Sequence, residues 1–251
     1  MNEKKKIRVF RLDKLLVKRD LFSTIEEAQA NIIAGNVITA DRCLDKAGEM
    51  VYEDIPIRIR KKSSEFVGRG GIKLDKAIDE FGIDVQEMIC LDIGAHVGGF
   101  TDVLLSRGAK RVYAVDVAYG MLAWKLQQDL RVINLQRTDS RKLDRTLVPD
   151  PIDILVADIS FNSLERILPP ILPLLDDKAV AIPLVKPHFE AEKGEVEEGG
   201  IIRDPLIHER ICNQMKDFMI SLHFDVKEII ESSIRGQKGN KEFFIYAIFH
   251  Q

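Results

Sequence analysis

The sequence predicts an α/β fold, a mostly parallel sheet finished by an antiparallel hairpin, preceded by a small α+β domain. Three observations predict it. Apolar runs near residues 89–93, 111–116, 132–135, 152–157 and 179–185 each stop at a polar or charged position, with helical patterns between several of them. The first of these runs opens into a glycine-rich turn, MICLDIGAHVGGFTD at 88–102. Charge also divides the chain: residues 1–62 hold 14 basic and 10 acidic side chains, a net +4, and the remainder a net −7. A positive module beside a negative domain suits a nucleic-acid-facing part joined to another function.

Residues 1–8 read as a basic tail. Leu12, Leu15 and Leu16 then fall at helical spacing, with Arg11, Lys14, Lys18 and Arg19 on other faces. Ser23 or Thr24, each followed three residues later by Glu26 or Glu27, caps a second helix whose inward side is Ile25, Ala28, Ile32 and Ile33. Gly35 and Asn36 end it. Val37 to Thr39 reads as a strand, and Ile55, Ile57 and Ile59 alternate with polar or proline positions as another. The motif RLDKLL, the Ala28, Ile32, Gly35, Val37 pattern and the ending DIPIRIRKK resemble the small RNA-binding domain of the ribosomal protein S-four class. That resemblance implies phosphate contacts to structured RNA, for which Arg11, Lys14, Lys18, Arg19 and Arg42 are the candidates.

Charged, serine- and glycine-rich KKSSEFVGRGG marks a boundary, giving an N-terminal domain at 1–62, a linker at 63–70 and a second domain at 71–251. A helix follows from Ile72, with Leu74, Ala77, Ile78 and Phe81 on one face. Lys73 stands at its start, where the helix dipole disfavours a cation. Next comes the strand ending at Asp92. In the turn after it Gly94, Ala95, Gly98, Gly99 and Phe100 bring bare backbone toward a ligand before a helix over 101–107. The second strand ends at Asp116, 24 positions after Asp92, about where such folds set a carboxylate on ribose hydroxyls. The pair implies an adenosine-bearing cofactor. The turn lacks both the dinucleotide glycine spacing and a Gly-Lys-Ser/Thr phosphate cradle, so S-adenosylmethionine fits better than NAD or ATP.

A helix is expected over 119–128, with Trp124 packed in the interior. The third strand ends near Asp139, a candidate acceptor for an adenine amine, the fourth at Asp158 and the fifth at Lys186. These ends gather on the carboxyl edge of one sheet. Residues 191–200, AEKGEVEEGG, read as a mobile lid, and Asp204-Pro205 starts a long helix with Ile207, Ile211 and Met215 inward. Strands near 224–230 and 242–249 form the closing hairpin.

Strand-end Asp158 and Lys186 suggest a base and the group that orients it. Methyl transfer to a hydroxyl needs that proton removed, and a lysine does so only as the neutral amine, which desolvation and a second ammonium favour. The stretches RGGIKL, LDIGAHVGGFTDVLL, VYAVDVAYGMLAWKL, DILVADISFNSL, LVKPHFE, GGIIRDP and GNKEFFIY, in this order, resemble the TlyA family, whose members carry the name hemolysin and are similar to FtsJ-type enzymes. The resemblance implies a Rossmann-like, class I S-adenosylmethionine-dependent methyltransferase fold and methylation of a cytidine ribose 2′-hydroxyl in ribosomal RNA. It also implies a catalytic tetrad of Lys73, Asp158, Lys186 and Glu242, with Lys186 as base, Asp158 and Lys73 orienting it and Glu242 near the ribose. One departure is His96-Val97 where the family has Ser-Thr. A bulkier His96 there leaves open an RNA-binding assembly protein with weakened cofactor binding.

Cys43, Cys90 and Cys212 are far apart and lack metal-ligand spacing, so neither a metal site nor a disulfide framework is expected. No secretory h-region or run of 18 apolar residues occurs. A cytoplasmic protein with ribosomal RNA or subunits as partner, and no stable membrane association, is therefore expected. A membrane-lysing hemolysin lacks the segment it needs.

Overall fold

The computed structural model describes residues 8–33, 35–39, 42, 44, 46–59, 66–160, 163–192, 194–236 and 239–251. The chain divides into two compact units, Met1–Glu65 and Phe66–Gln251. Apart from Arg8, the basic tail lies outside the described residues, as does Cys43.

The first unit holds β1 (Val9–Arg11), α1 (Leu12–Lys18), α2 (Ile25–Ile33), β2 (Val37–Ile38), β3 (Met50–Tyr52) and β4 (Arg58–Ile59). Leu12, Leu15 and Leu16 of α1 meet Ala28 and Ile32 of α2 in its core, with Val37, Leu44 and Val51. Thr24 caps α2 by accepting from the Glu27 amide at 3.1 Å, while the Glu27 carboxylate takes the Ser23 amide at 2.9 Å. Two antiparallel pairs complete the unit, β1 with β3 and β2 with β4. The sequence expectation misses β1 and β3, and it places Ile25 and Ile33 inside where they are 37% and 77% exposed. Of the described residues in the strand expected from Ile55, Arg58 and Ile59 pair.

The second unit is a seven-stranded sheet with helices on both faces. In chain order it comprises α3 (Arg69–Phe81), β5 (Ile89–Ile93), α4 (Gly99–Ser106), β6 (Arg111–Asp116), α5 (Trp124–Gln127), β7 (Val132–Gln136), β8 (Ile152–Ala157), α6 (Leu164–Ile171), β9 (Leu175–Val185), α7 (Pro187–Glu190), α8 (Pro205–Ser221), β10 (Phe224–Glu231) and β11 (Phe243–Phe249). The strand order is β10-β11-β9-β8-β5-β6-β7. Strands β5 to β9 run parallel, and β11 is antiparallel to both β9 and β10.

Alternation along the strands makes two cores. Cys90, Val112, Ile154, Ile182 and Phe244 face α3 and α4, packing with Leu74, Ile78, Val103 and Leu104. Their neighbours Leu91, Tyr113, Leu155, Ala181 and Ile245 face α6 and α8, packing with Ile167, Leu168, Ile211 and Met215. Because both faces are covered, the strands read as continuous apolar runs.

Several expectations shift. α3 begins at Arg69, inside the expected linker, with Gly71 able to pack on Phe66 because it lacks a Cβ. The helix expected over 119–128 shrinks to α5, and Trp124 is 73% exposed instead of packed. α6 escapes the sequence pattern because Pro169-Pro170 look like a breaker; they sit in its C-terminal half, and Ser163 caps its start by accepting from the Glu165 amide at 3.1 Å.

Candidate active site

The site lies beyond the carboxyl ends of the parallel strands, where β5 has β6 on one side and β8 on the other. Chain connections depart to opposite sides there, which opens a crevice. A cavity of about 920 Å³ occupies it.

One half is built on the turn between β5 and α4. Gly94 has φ +81°, and a Cβ on it would stand 2.5 Å from the Asp158 carbonyl oxygen, so glycine alone lets the ends of β5 and β8 touch. Gly94, Ala95, Gly99 and Phe100 line the cavity. Asp116 lines it too, and its carboxylate accepts the His96 amide at 2.8 Å and the Ala118 amide at 2.7 Å. Held from behind by two backbone donors, an aspartate at a strand end keeps acceptor capacity for hydroxyls. Apolar Ile93, Val115 and Val117 complete this wall. Bare backbone, a poised carboxylate and apolar sides fit the adenosine part of S-adenosylmethionine.

Two residues expected to hold the cofactor lie off the cavity wall, and a third lines it in an ion pair. Asp92 is fully buried and does not line the cavity. Its Oδ2 accepts from the Thr101 hydroxyl at 2.6 Å, and its Oδ1 has no partner among the described residues. Burial pushes this carboxyl up to about 7; the Thr101 bond opposes the rise and the charges of Asp158 and Asp116 add to it. Gly98 also stays off the cavity wall: its φ of +94° starts α4, and a Cβ would collide with Leu126 at 2.2 Å. Asp139 lines the cavity but caps a short 3-10 turn and pairs with Arg141 at 2.7 Å, which holds its carboxyl at about 2. His96 has φ +49° and an exposed side chain.

The other half carries two ion pairs. Lys186, directly after β9, sets its Nζ 2.6 Å from Asp158 Oδ1 at the end of β8. The same Nζ donates to the Ser160 hydroxyl at 3.1 Å and stands 5.9 Å from the Phe189 ring centre. Lys73 donates to Glu242 Oε2 at 2.5 Å, both side chains buried. Coming from the second turn of α3, Lys73 meets a carboxylate at the start of β11, which answers the dipole penalty at that position. All four residues line the one cavity. Ser160, Asn240, Arg69 and Arg235 line it as well and went unseen in sequence, because each follows no spacing that marks a site.

The expected lid is latched. The Asn240 amide donates to the Gly200 carbonyl at 2.7 Å and accepts from the Ile202 amide at 3.0 Å. Glu197 bridges Ile201, and Glu195 pairs with Arg210 of α8.

In the first unit the five basic candidates differ. Lys14 is exposed with no ion pair among the described residues. Arg11 pairs with buried Asp13 at 2.7 Å, Lys18 with Glu53 and Arg42 with Glu49. Arg19 is half-buried and donates to the carbonyls of Ile55, at 2.7 Å, and Glu53, so its guanidinium ties α1 to that turn instead of facing a ligand. Among the described residues no cluster of His, Cys, Asp and Glu could hold a metal ion. No helix there is long and apolar enough to cross a membrane.

Residues 66–249 match the family described as FtsJ-like methyltransferase. The chain is 38% identical to the 16S/23S rRNA (cytidine-2'-O)-methyltransferase TlyA of Mycobacterium tuberculosis, over 94% of this chain and 88% of that one. A solved structure named a hemolysin, from Streptococcus thermophilus, matches with a TM-score of 0.75 and 37% identity over 97% of this chain and 89% of that one. An S-adenosylmethionine-dependent methyltransferase from Mesorhizobium loti shares the fold, with a TM-score of 0.52 at 13% identity over 69% of this chain and 96% of that one. By sequence and by architecture, then, the chain belongs to the FtsJ-like methyltransferase family, in its TlyA branch.

Proposed function

We propose that this protein transfers a methyl group from S-adenosylmethionine to the ribose 2′-hydroxyl of a cytidine in ribosomal RNA. The observation that carries the proposal is the pair of lysine–carboxylate contacts, Lys186 with Asp158 and Lys73 with Glu242, facing one cavity beside the glycine turn. The name of the Mycobacterium tuberculosis relative supports the choice of nucleotide.

Asp116 and the backbone of Gly94 to Gly99 would hold the adenosine part. When bound, S-adenosylmethionine supplies an electrophilic methyl whose bond to sulfur breaks onto sulfur as the new O–C bond forms. In its amine form Lys186 takes the proton of the 2′-hydroxyl on Nζ, and the ion pair with Asp158 is the state that results. Lys73 and Glu242, fixed by each other, orient the ribose. The first unit, Met1–Glu65, is an S-four-type RNA-binding domain in this reading, with Lys14 and the exposed Arg11, Lys18 and Arg42 on phosphates. A surface ion pair is worth little, so each of these three can trade its carboxylate for a phosphate. The protein works in the cytoplasm on ribosomal RNA or a ribosomal subunit.

Calorimetric titration with S-adenosylmethionine, then methyl incorporation into subunits lacking the modification, tests this. Wild type binds and transfers; Lys186→Ala binds and does not. Absence of cofactor binding with and without RNA would leave instead an RNA-binding protein on a retired catalytic fold. Release of dye from liposomes by pure protein would favour the membrane-active reading.

A further inference from the structure

The Lys186 amine makes a hydrogen bond that the tetrad does not include. Ser160 lies two residues beyond Asp158, past the end of β8, where its hydroxyl is exposed at the cavity and accepts from Lys186 Nζ at 3.1 Å. Lys186 itself is buried, 9% exposed, and its Nζ is 2.6 Å from Asp158 Oδ1. A hydroxyl that accepts a hydrogen bond and a carboxylate that makes an ion pair without one thus flank the same nitrogen.

We infer that Ser160 is a positioning residue for Lys186, fixing the direction in which the amine accepts a proton. The inference rests on the methyltransferase reading above. A neutral lysine amine has two N–H donors and one lone pair. Ser160 takes one donor, and the Asp158 carboxylate 2.6 Å away attracts the other N–H by its charge, so the lone pair is left pointing away from both, toward the open cavity where a ribose hydroxyl must come. The proton then passes from the 2′-oxygen to Nζ, and the amine becomes an ammonium whose two held N–H groups stay where they were. Without Ser160 the amine rotates about its Cε–Nζ bond with only Asp158 to restrain it, and the lone pair samples directions that face no substrate. Such a loss acts on the chemical step and leaves ground-state binding untouched.

Ser160 makes no contact that the fold depends on, since its side chain is exposed and, among the described residues, bonds to Lys186 alone. The test is steady-state kinetics of Ser160→Ala, Ser160→Thr and Lys186→Ala with S-adenosylmethionine and ribosomal subunits, alongside melting curves and cofactor titration. Expected is a kcat reduced by about 10- to 100-fold in Ser160→Ala, with KM for both substrates and the melting temperature unchanged, and most of that kcat restored in Ser160→Thr. An unchanged kcat in Ser160→Ala, a loss confined to KM, or no rescue by threonine would overturn the inference while Lys186→Ala still upholds the reading beneath it. A wild-type protein that methylates no ribosomal RNA would overturn both.

Discussion

Lys73 and Glu242, 169 positions apart in the chain, meet at 2.5 Å with both side chains buried, joining α3 to the first residues of β11. Burying two charges is costly unless each has the other, and losing one partner leaves an uncompensated charge. Lys73→Met alone and Glu242→Leu alone should each cost about 3–5 kcal/mol. The double variant should recover most of that stability and none of the activity. Chemical denaturation together with methyl incorporation separates the two; a double variant whose loss equals the sum of the two single losses would show the contact to be incidental to folding.

Asp92 gives the stability a pH dependence of known sign. Its folded carboxyl titrates at about 7 against an ordinary 3.8, raised chiefly by burial. The contribution is therefore fully present below about pH 4 and is lost as pH rises through about 7, above which it is flat. At roughly 1.4 kcal/mol per unit the whole span is about 4 kcal/mol. Asp92→Asn should flatten the stability curve between pH 4 and 7, measured by urea unfolding across that range.

Gly94→Ala should be severe. The residue has φ +81°, and the added Cβ would press on the Asp158 backbone oxygen at 2.5 Å, displacing the partner of Lys186. A loss of roughly 2–4 kcal/mol and of activity is expected. Gly48→Ala is the control: a Cβ there meets nothing within 4 Å, so melting should be unchanged or slightly higher.

Lys14 and Arg19 should part company. Lys14→Ala should weaken RNA binding and lower the slope of log affinity against log salt by about one, with no change in melting. Arg19→Ala should remove two bonds to backbone carbonyls and destabilise the first unit by about 1–3 kcal/mol. Filter binding at several salt concentrations and thermal melts of both variants would reverse this assignment if Arg19→Ala changed the salt slope alone.

The sheet was legible because its strands are apolar runs that stop at a charge. Asp116, Asp158 and Lys186 stand at strand ends for that reason, and parallel pairing sets them on one edge. Asp92 misled because a carboxyl at a strand end looks the same in sequence whether it faces a crevice or, as here, the Thr101 hydroxyl beneath the turn. Trp124 misled because the helix that forms is one short turn that begins at this residue, and Gly120 at φ +70° lies in the loop that replaces the first part of the expected helix. The short strands β1 and β3 carry no alternation long enough to read. The Lys73–Glu242 contact leaves no local trace at all, since nothing in α3 specifies which distant strand will face it.

Strand order has a bearing on how the molecule is made. β10 is synthesised before β11, yet β11 lies between it and β9. Until β11 emerges from the ribosome, β9 presents an unpaired apolar edge and β10 has no neighbour to join, a state open to pairing with other nascent chains. The chain between β10 and β11 must be made before the gap is filled. Glu242 arrives directly before that closing strand, so the buried partner of Lys73 is in place only after nearly all of the sheet has been translated.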